Sequence, residues 1–123
     1  GKARHGLGLL YAPVNLTASL RGLREAARLK PTDAAIRSDY GYALMQARRF
    51  GEARTELATA QELAPDQIAA RNNFLILLFV QGEDAVARQL AAQTSVDAAL
   101  LARLKQQAQS FKTAKPVGAR AGQ

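Results

Sequence analysis

The chain has 123 residues and a formal net charge of +7, and 48% of its residues are hydrophobic. This length fits one domain with a modest core. The chain contains no cysteine, which excludes disulfides and thiolate chemistry and fits either a reducing cytoplasm or an unbridged periplasmic domain. It also lacks a signal-peptide pattern and the run of about 18 apolar residues that a membrane-spanning helix needs.

The first part of the chain predicts two helices, over residues 2–12 and 16–29. Small or apolar residues recur there at three- and four-residue spacing, which is the period of a helix with one buried face. The predicted turn between them is Pro13-Val14-Asn15. Because the chain opens on Gly1 rather than Met, we expect it to be a fragment of a longer protein.

The middle of the chain predicts a second helix pair, over residues 33–47 and 51–63. Thr32-Asp33 offers an N-cap for the first of these helices. Pro65 ends the second, because the residue before a proline resists helical angles. Gly41 and Ala53 are small, so the two helix backbones are expected to approach closely there.

The last part predicts helices over residues 67–81, 84–93 and 96–112. Asp66 and Ser95 are the expected N-caps of the first and the last of these. Glu52 and Glu56, one turn apart in the preceding pair, are expected on a solvent-facing side. Residues 112–123 are basic and rich in small side chains, which predicts a flexible basic tail.

This pattern resembles the tetratricopeptide (TPR) repeat, a helix-turn-helix unit of about 34 residues. Pro31 and Pro65 are separated by that period, and Ile68 follows Ala34 by the same distance. Arg37 departs from the family, which often has tryptophan or another large apolar residue there. The residues that carry the resemblance in the middle copy are Tyr40, Gly41, Leu44, Phe50, Ala53, Leu57, Ala60 and Pro65.

The resemblance implies an all-α fold, a TPR solenoid of about three repeats that ends in a C-terminal capping helix. The repeats are expected at about 1–32, 33–66 and 67–95, and the capping helix at 96–111, which together form one domain over residues 1–111. Stacking is required physically, because a single repeat cannot bury its own apolar face.

In TPR stacks the first helix of each repeat lines a concave groove that binds protein partners. The matching positions predict a mixed groove with an apolar strip, suited to an extended or helical peptide. The alternative is that some of these side chains, Ile76 and Phe79 above all, pack under neighbouring helices or the C-terminal helix. The predicted groove residues are His5, Leu9, Ser38, Tyr42, Met45, Asn72, Ile76 and Phe79.

No constellation of residues predicts chemistry, so we expect neither enzymatic activity nor a cofactor or metal. His5 is the single histidine, which leaves a His-based triad or a two-histidine metal site without support. Glu83-Asp84 at a helix start is better explained by the helix dipole than as an acid–base pair. TPR clamps for a C-terminal carboxylate need a set of Lys, Asn and Arg residues that Lys2 and Asn72 do not complete.

The charge is uneven along the chain. Residues 1–32 carry six basic and one acidic side chain, residues 33–99 six and nine, and residues 100–123 five and none. Basic ends attract anionic partners, nucleic acid included, but they equally serve solubility. The chain shows no basic stripe interleaved with aromatic residues, so a nucleic-acid-binding module is the less favoured reading.

Nearly the whole chain is also similar to TadD-type proteins of bacterial tight-adherence (Flp) pilus systems. The stretches concerned include SDYGYALMQARRFGEAR and ARNNFLILLFVQGE. That similarity implies a non-catalytic scaffold for pilus or secretion-apparatus assembly, periplasmic and attached to the outer membrane by an N-terminal lipid on a preceding segment. The alternatives are a general adaptor in another envelope assembly and a cytoplasmic location. Self-association is a further expectation, because a missing upstream repeat would expose the first helix.

Overall fold

The computed structural model describes residues 2–113, and it describes side chains from residue 15 to residue 112. Within residues 2–113 the fold is entirely helical, with no strand. The six helices are α1 (Lys2–Leu29), α2 (Ala34–Gln46), α3 (Phe50–Leu63), α4 (Ile68–Val80), α5 (Asp84–Gln93) and α6 (Ala98–Thr113). Five of them match predicted helices to within about three residues at each end, the usual uncertainty of helix limits.

The N-terminal helix pair was predicted wrongly. Instead of a turn at Pro13-Val14-Asn15, α1 continues as one helix of 28 residues. A proline in a helix removes one backbone hydrogen bond, but this segment has no glycine that would favour reversal of the chain. The helix-turn-helix unit expected over residues 1–32 is therefore absent. Leu20, Leu23 and Ala27, in the second half of α1, pack against the core.

The α2–α3 hairpin packs most tightly where Gly41 meets Leu57. A Cβ atom built on Gly41 would lie 2.5 Å from Leu57 Cγ and 2.6 Å from Leu57 Cδ2. Ala53 and Ala60, also on α3, are completely buried. The close backbone approach predicted from the small residues is therefore present, and Leu57 fills the space that the missing Gly41 side chain leaves.

The centre of the core is α4, which is covered by α2, α3, α5 and α6. Leu75, Leu77 and Leu78 point in different directions around this helix, yet all three are fully buried. A helix that is apolar on all sides is typical of such a central position. α2, α3, α5 and α6 contribute buried side chains to the same core, whereas α1 packs chiefly against α2.

The three turns after α2, α4 and α5 share one geometry. Arg48, Gly82 and Ser95 adopt a positive φ, near 62°, 76° and 62°. In each turn the next amide donates to a carbonyl five residues back, as in Arg49 N to Leu44 O and Glu83 N to Leu78 O. This is the Schellman arrangement that ends helices. Arg48 and Gly82 are 34 residues apart, so the turn repeats with the period of the sequence.

The predicted N-caps were right at one position and wrong at two. Asp33 caps α2, where its side chain accepts a hydrogen bond from Ile36 N at 3.0 Å. Asp66 does not cap α4, because Gln67 occupies the N-cap position without a side-chain bond. Ser95 belongs to the turn that ends α5, and Asp97 instead accepts the hydrogen bond from Leu100 N at 2.8 Å. Lys112 and Thr113, which were predicted to belong to the tail, are part of α6; residues 114–123 lie outside the described part.

Arg37, the departure from the repeat pattern, joins two helices and a loop. Its guanidinium lies 2.7 Å from Glu56 Oε1 on α3, and both side chains are about four-fifths buried. Its Nε also donates to the carbonyl of Pro31 at 2.8 Å. The prediction that Glu56 faces solvent is therefore wrong, because this carboxylate neutralises a charge held between two helices.

Replacing Arg37 by alanine is expected to lower the free energy of unfolding by about 1–2 kcal/mol, between the values for exposed and buried pairs. The change leaves the Glu56 carboxylate partly buried without its partner. Chemical denaturation followed by circular dichroism measures the loss. Arg88→Ala, on the exposed side of α5, is the matched control and should shift stability by less than about 0.5 kcal/mol. Equal losses in both variants would show that the Glu56 contact contributes nothing.

Candidate functional site

The predicted concave groove corresponds to the side of α2 and α4 beside the second half of α1, but its apolar strip is not open. Met45, Ile76 and Phe79 were predicted to line a groove, and their exposed fractions are only 0%, 5% and 2%. Two alternatives were predicted for Ile76 and Phe79: to line an open groove or to pack beneath other helices. The structure shows the second, because both side chains are buried.

The helix that covers α4 is α6. Leu104 and Ala108 on α6 are buried and belong to the same core cluster as Phe79. Lys105 extends from this interface, with its ammonium 5.8 Å from the centre of the Phe79 ring. The same ammonium lies 3.2 Å from the carboxylate of Asp84, at the start of α5. α6 is thus held to α4 by apolar contacts and by one cation at their edge.

The last turn of α6 reaches across to α2. The rings of Phe111 and Tyr42 meet edge to face with centroids 5.8 Å apart. Arg48, in the turn after α2, donates a hydrogen bond to the main-chain carbonyl of Phe111. α6 was predicted as the capping helix that follows the third repeat, and it also contacts Tyr42 and Arg48 of the second repeat.

A cleft remains open between α1, α2 and α4, with a volume of about 520 Å³. The Tyr42 side chain, 36% exposed, lines it and is the predicted groove residue most accessible within the described side chains. Beneath it, the buried Ser38 hydroxyl accepts a hydrogen bond from Asn73 at 3.0 Å. The residues that line the cleft are Ser19, Leu23, Asp39, Tyr42, Ala43, Gln46 and Asn73.

Asn72 lies in a different place from Tyr42. It borders a second cleft, about 570 Å³, whose other lining residues all come from α6. Arg71 donates a hydrogen bond to its side-chain oxygen at 3.1 Å. His5 and Leu9 are in α1, but their side chains lie outside the described range. The predicted groove is therefore divided, and the binding roles of its residues stay predictions.

Of the seven lining residues, only Tyr42 is one of the eight predicted groove residues. Leu23 comes from the helix that was expected to be the second helix of its repeat, which normally faces away from a groove. Asp39 and Gln46 belong to α2. The signal for them was available, since Asp39, Tyr42 and Gln46 follow each other at three- and four-residue spacing and so share one face of α2.

The open cleft carries polar groups that can form hydrogen bonds with a ligand. Its polar groups are one carboxylate, two amides, a hydroxyl and a phenol. Among the described residues, no group of three or more His, Asp or Glu side chains is arranged to hold a metal ion. Nor does any helix in the described part of the chain combine the length and the apolar character that crossing a membrane requires.

Comparison with known proteins agrees with this geometry. Residues 15–75 match the tetratricopeptide repeat family. The chain is 36% identical over 119 residues to a TPR repeat-containing protein of Pseudomonas aeruginosa. That alignment covers 96% of this chain and 49% of the relative, so the chain spans about half the length of the relative it matches.

The predicted fold class is thereby confirmed: the chain is a helical tetratricopeptide-repeat solenoid. Repeats of this kind are generally non-catalytic modules for protein–protein interaction. The matched region begins at residue 15 and includes the second half of α1, where Leu20, Leu23 and Ala27 pack against the core.

Proposed function

We propose that this protein is a non-catalytic scaffold that binds a partner protein through the open cleft between α1, α2 and α4. The observation that carries the proposal is the cleft itself: a volume of about 520 Å³ on the concave side of a TPR solenoid, with an exposed tyrosine beside it. An amphipathic tyrosine surrounded by amides and a carboxylate can contact both the backbone and the side chains of an extended peptide.

The packing of α6 limits which part of the concave side is available. Ile76 and Phe79 lie under α6, so the partner contacts Tyr42 and its neighbours rather than the full apolar strip. A segment bound here would lie against α1 on one side and close to the end of α6 on the other. Its binding therefore depends on few apolar contacts and on correctly placed polar ones.

The setting that we propose is assembly of a bacterial pilus or secretion apparatus, in the periplasm at the outer membrane. The support is the similarity of the chain to TadD-type proteins over stretches such as SDYGYALMQARRFGEAR. The lipid anchor would belong to a segment that precedes Gly1. Self-association through α1 is compatible with this role.

The test is capture of partners from a bacterial envelope extract, with identification by mass spectrometry. The cleft variant is Asp39→Ala with Gln46→Ala, because both side chains are exposed and their loss leaves the core intact. The control is Glu62→Ala with Gln89→Ala, two exposed positions on α3 and α5. Circular dichroism establishes that both variants fold.

Pilus or secretin proteins held by the native chain and the control, but lost by the cleft variant, would support the proposal. Other envelope proteins with the same behaviour would keep the scaffold role and overturn the pilus setting. Nucleic acid or acidic proteins that the cleft variant still holds and that salt removes would overturn the cleft as the binding site.

A further inference from the structure

A third, smaller cleft lies between α1 and the α2–α3 hairpin. Its volume is about 250 Å³. It is separate from the concave cleft, because Ser19 and Leu23 of α1 line that one, while a different face of α1 lines this one. Its lining is strongly basic and consists of Thr17, Leu20, Arg21, Arg24, Tyr40 and Arg49.

The positive charge of this cleft exceeds what the chain neutralises. Arg21 and Arg24 are exposed and make no hydrogen bond or ion pair with a described residue. Only Arg49 is paired, through two hydrogen bonds of 2.7 and 2.8 Å to Glu52. Glu25, the nearest other carboxylate in sequence, is engaged by Arg28 on the exposed side of α1.

The pKa shifts of the charged residues around this cleft agree with its excess of positive charge. The pKa of Glu52 lies below its ordinary value, chiefly because of the hydrogen bonds from Arg49, with Arg24 adding a smaller attraction. Glu52 therefore stays ionised, but its two oxygens are both occupied by Arg49. The guanidinium groups of Arg21 and Arg24 remain free to bind an anion from outside.

Tyr40 supplies a further observation that points to a ligand. This residue is only 9% exposed, and its hydroxyl has no hydrogen-bond partner among the described residues. It lines the cleft and lies close enough to Arg49 to contribute, after Glu52, to the raised pKa of that guanidinium. The ring is mostly buried, but the hydroxyl reaches the accessible surface of the cleft, so it is free to donate a hydrogen bond to an external acceptor.

We propose that this cleft binds a carboxylate side chain of an acidic peptide segment in a partner protein. Arg21 and Arg24 are three residues apart on one helix face, so their planar groups can converge on the two oxygens of a carboxylate. The Tyr40 hydroxyl donates to the same group, and Leu20 contacts the methylenes of the acidic side chain. The inference rests on the proposed function only in taking the partner to be a protein.

Binding is measured on the purified chain by titration with a tri-glutamate peptide blocked at both ends. Amide and arginine side-chain resonances report the location by nuclear magnetic resonance. We expect shifts confined to the second half of α1, the middle of α2 and the start of α3, which border the cleft. Arg21→Ala with Arg24→Ala should weaken binding at least tenfold, because each charge-assisted hydrogen bond contributes strongly. Arg88→Ala with Arg103→Ala removes the same charge elsewhere and should leave most of the affinity.

Tyr40→Phe separates this site from general attraction to a basic protein. The phenylalanine keeps the buried ring and removes only the hydroxyl, so folding is preserved and the affinity should fall several-fold. Equal weakening by both double arginine variants, or no effect of Tyr40→Phe, would overturn the proposal. So would saturation by inorganic phosphate alone without binding of the peptide. The concave-cleft variant Asp39→Ala with Gln46→Ala should bind the peptide normally, so failure here and failure of the proposed scaffold role are distinguishable.

Discussion

Replacing Gly41 by alanine is expected to destabilise the protein by about 1–2 kcal/mol, although the same change usually stabilises a helix interior by about 1 kcal/mol. The reason is steric. The added Cβ would lie 2.5 Å from Leu57 Cγ, and Leu57 is fully buried, so it cannot move away freely. Overlap in a packed core outweighs the gain in helix propensity. Urea unfolding followed by circular dichroism gives the difference.

The sign of this effect should reverse when Leu57 is truncated. Leu57→Ala alone is expected to cost about 2–5 kcal/mol, since it leaves a cavity at the hairpin. In that background Gly41→Ala fills part of the cavity and should restore about 1 kcal/mol. Gly51→Ala is the control, because a Cβ there meets nothing within 4 Å. If Gly41→Ala destabilised both backgrounds equally, the contact with Leu57 would not be the cause.

Replacing Leu104 by aspartate is expected to detach α6 from α4, with a loss of at least about 3 kcal/mol in the stability of that contact. Leu104 is only 4% exposed, and the change places a charge without a partner in the interface. Detachment would expose Ile76 and Phe79, which α6 covers. Hydrogen exchange should show lost amide protection in α6 and partial loss in α4, while α2 and α3 stay protected.

The control for this variant is Ala102→Asp, which introduces the same charge at an exposed position of the same helix. It should leave amide exchange in α6 close to that of the native chain. Binding of a hydrophobic dye should increase for Leu104→Asp alone, because only that variant uncovers the apolar strip. Unchanged protection of α6 would mean that the polar contacts of Lys105 and Phe111 suffice to hold the helix.

Much of the fold could be predicted because its determinants are local. The spacing of apolar residues defined α2 to α6, and Asp33 marked the start of α2 through a side-chain bond within three residues. Gly41 indicated close helix packing because no other residue type permits it at that distance. The repeat itself was visible as a 34-residue period in helices and in turns.

The errors at the helix ends also have local causes. Asp66 and Ser95 were plausible caps by residue type. Capping, however, depends on the residue at which the helix actually begins, and the sequence does not define that residue exactly. Asp97 took the role at α6 because Ser95 was needed in the left-handed conformation that ends α5. A turn with Pro13 was expected from composition, and α1 continued through it.

The sequence by itself therefore determined the helical repeat and the close α2–α3 contact, since both follow from residue type and spacing. Only the tertiary structure decided which surface is available. α6 crosses from α4 to α2 because its apolar face, with Leu104 and Phe111, fits the strip formed by Phe79 and Tyr42. That choice depends on contacts between residues more than 20 positions apart, which helical periodicity does not encode. It moves the candidate partner site from the apolar strip to the cleft beside Tyr42.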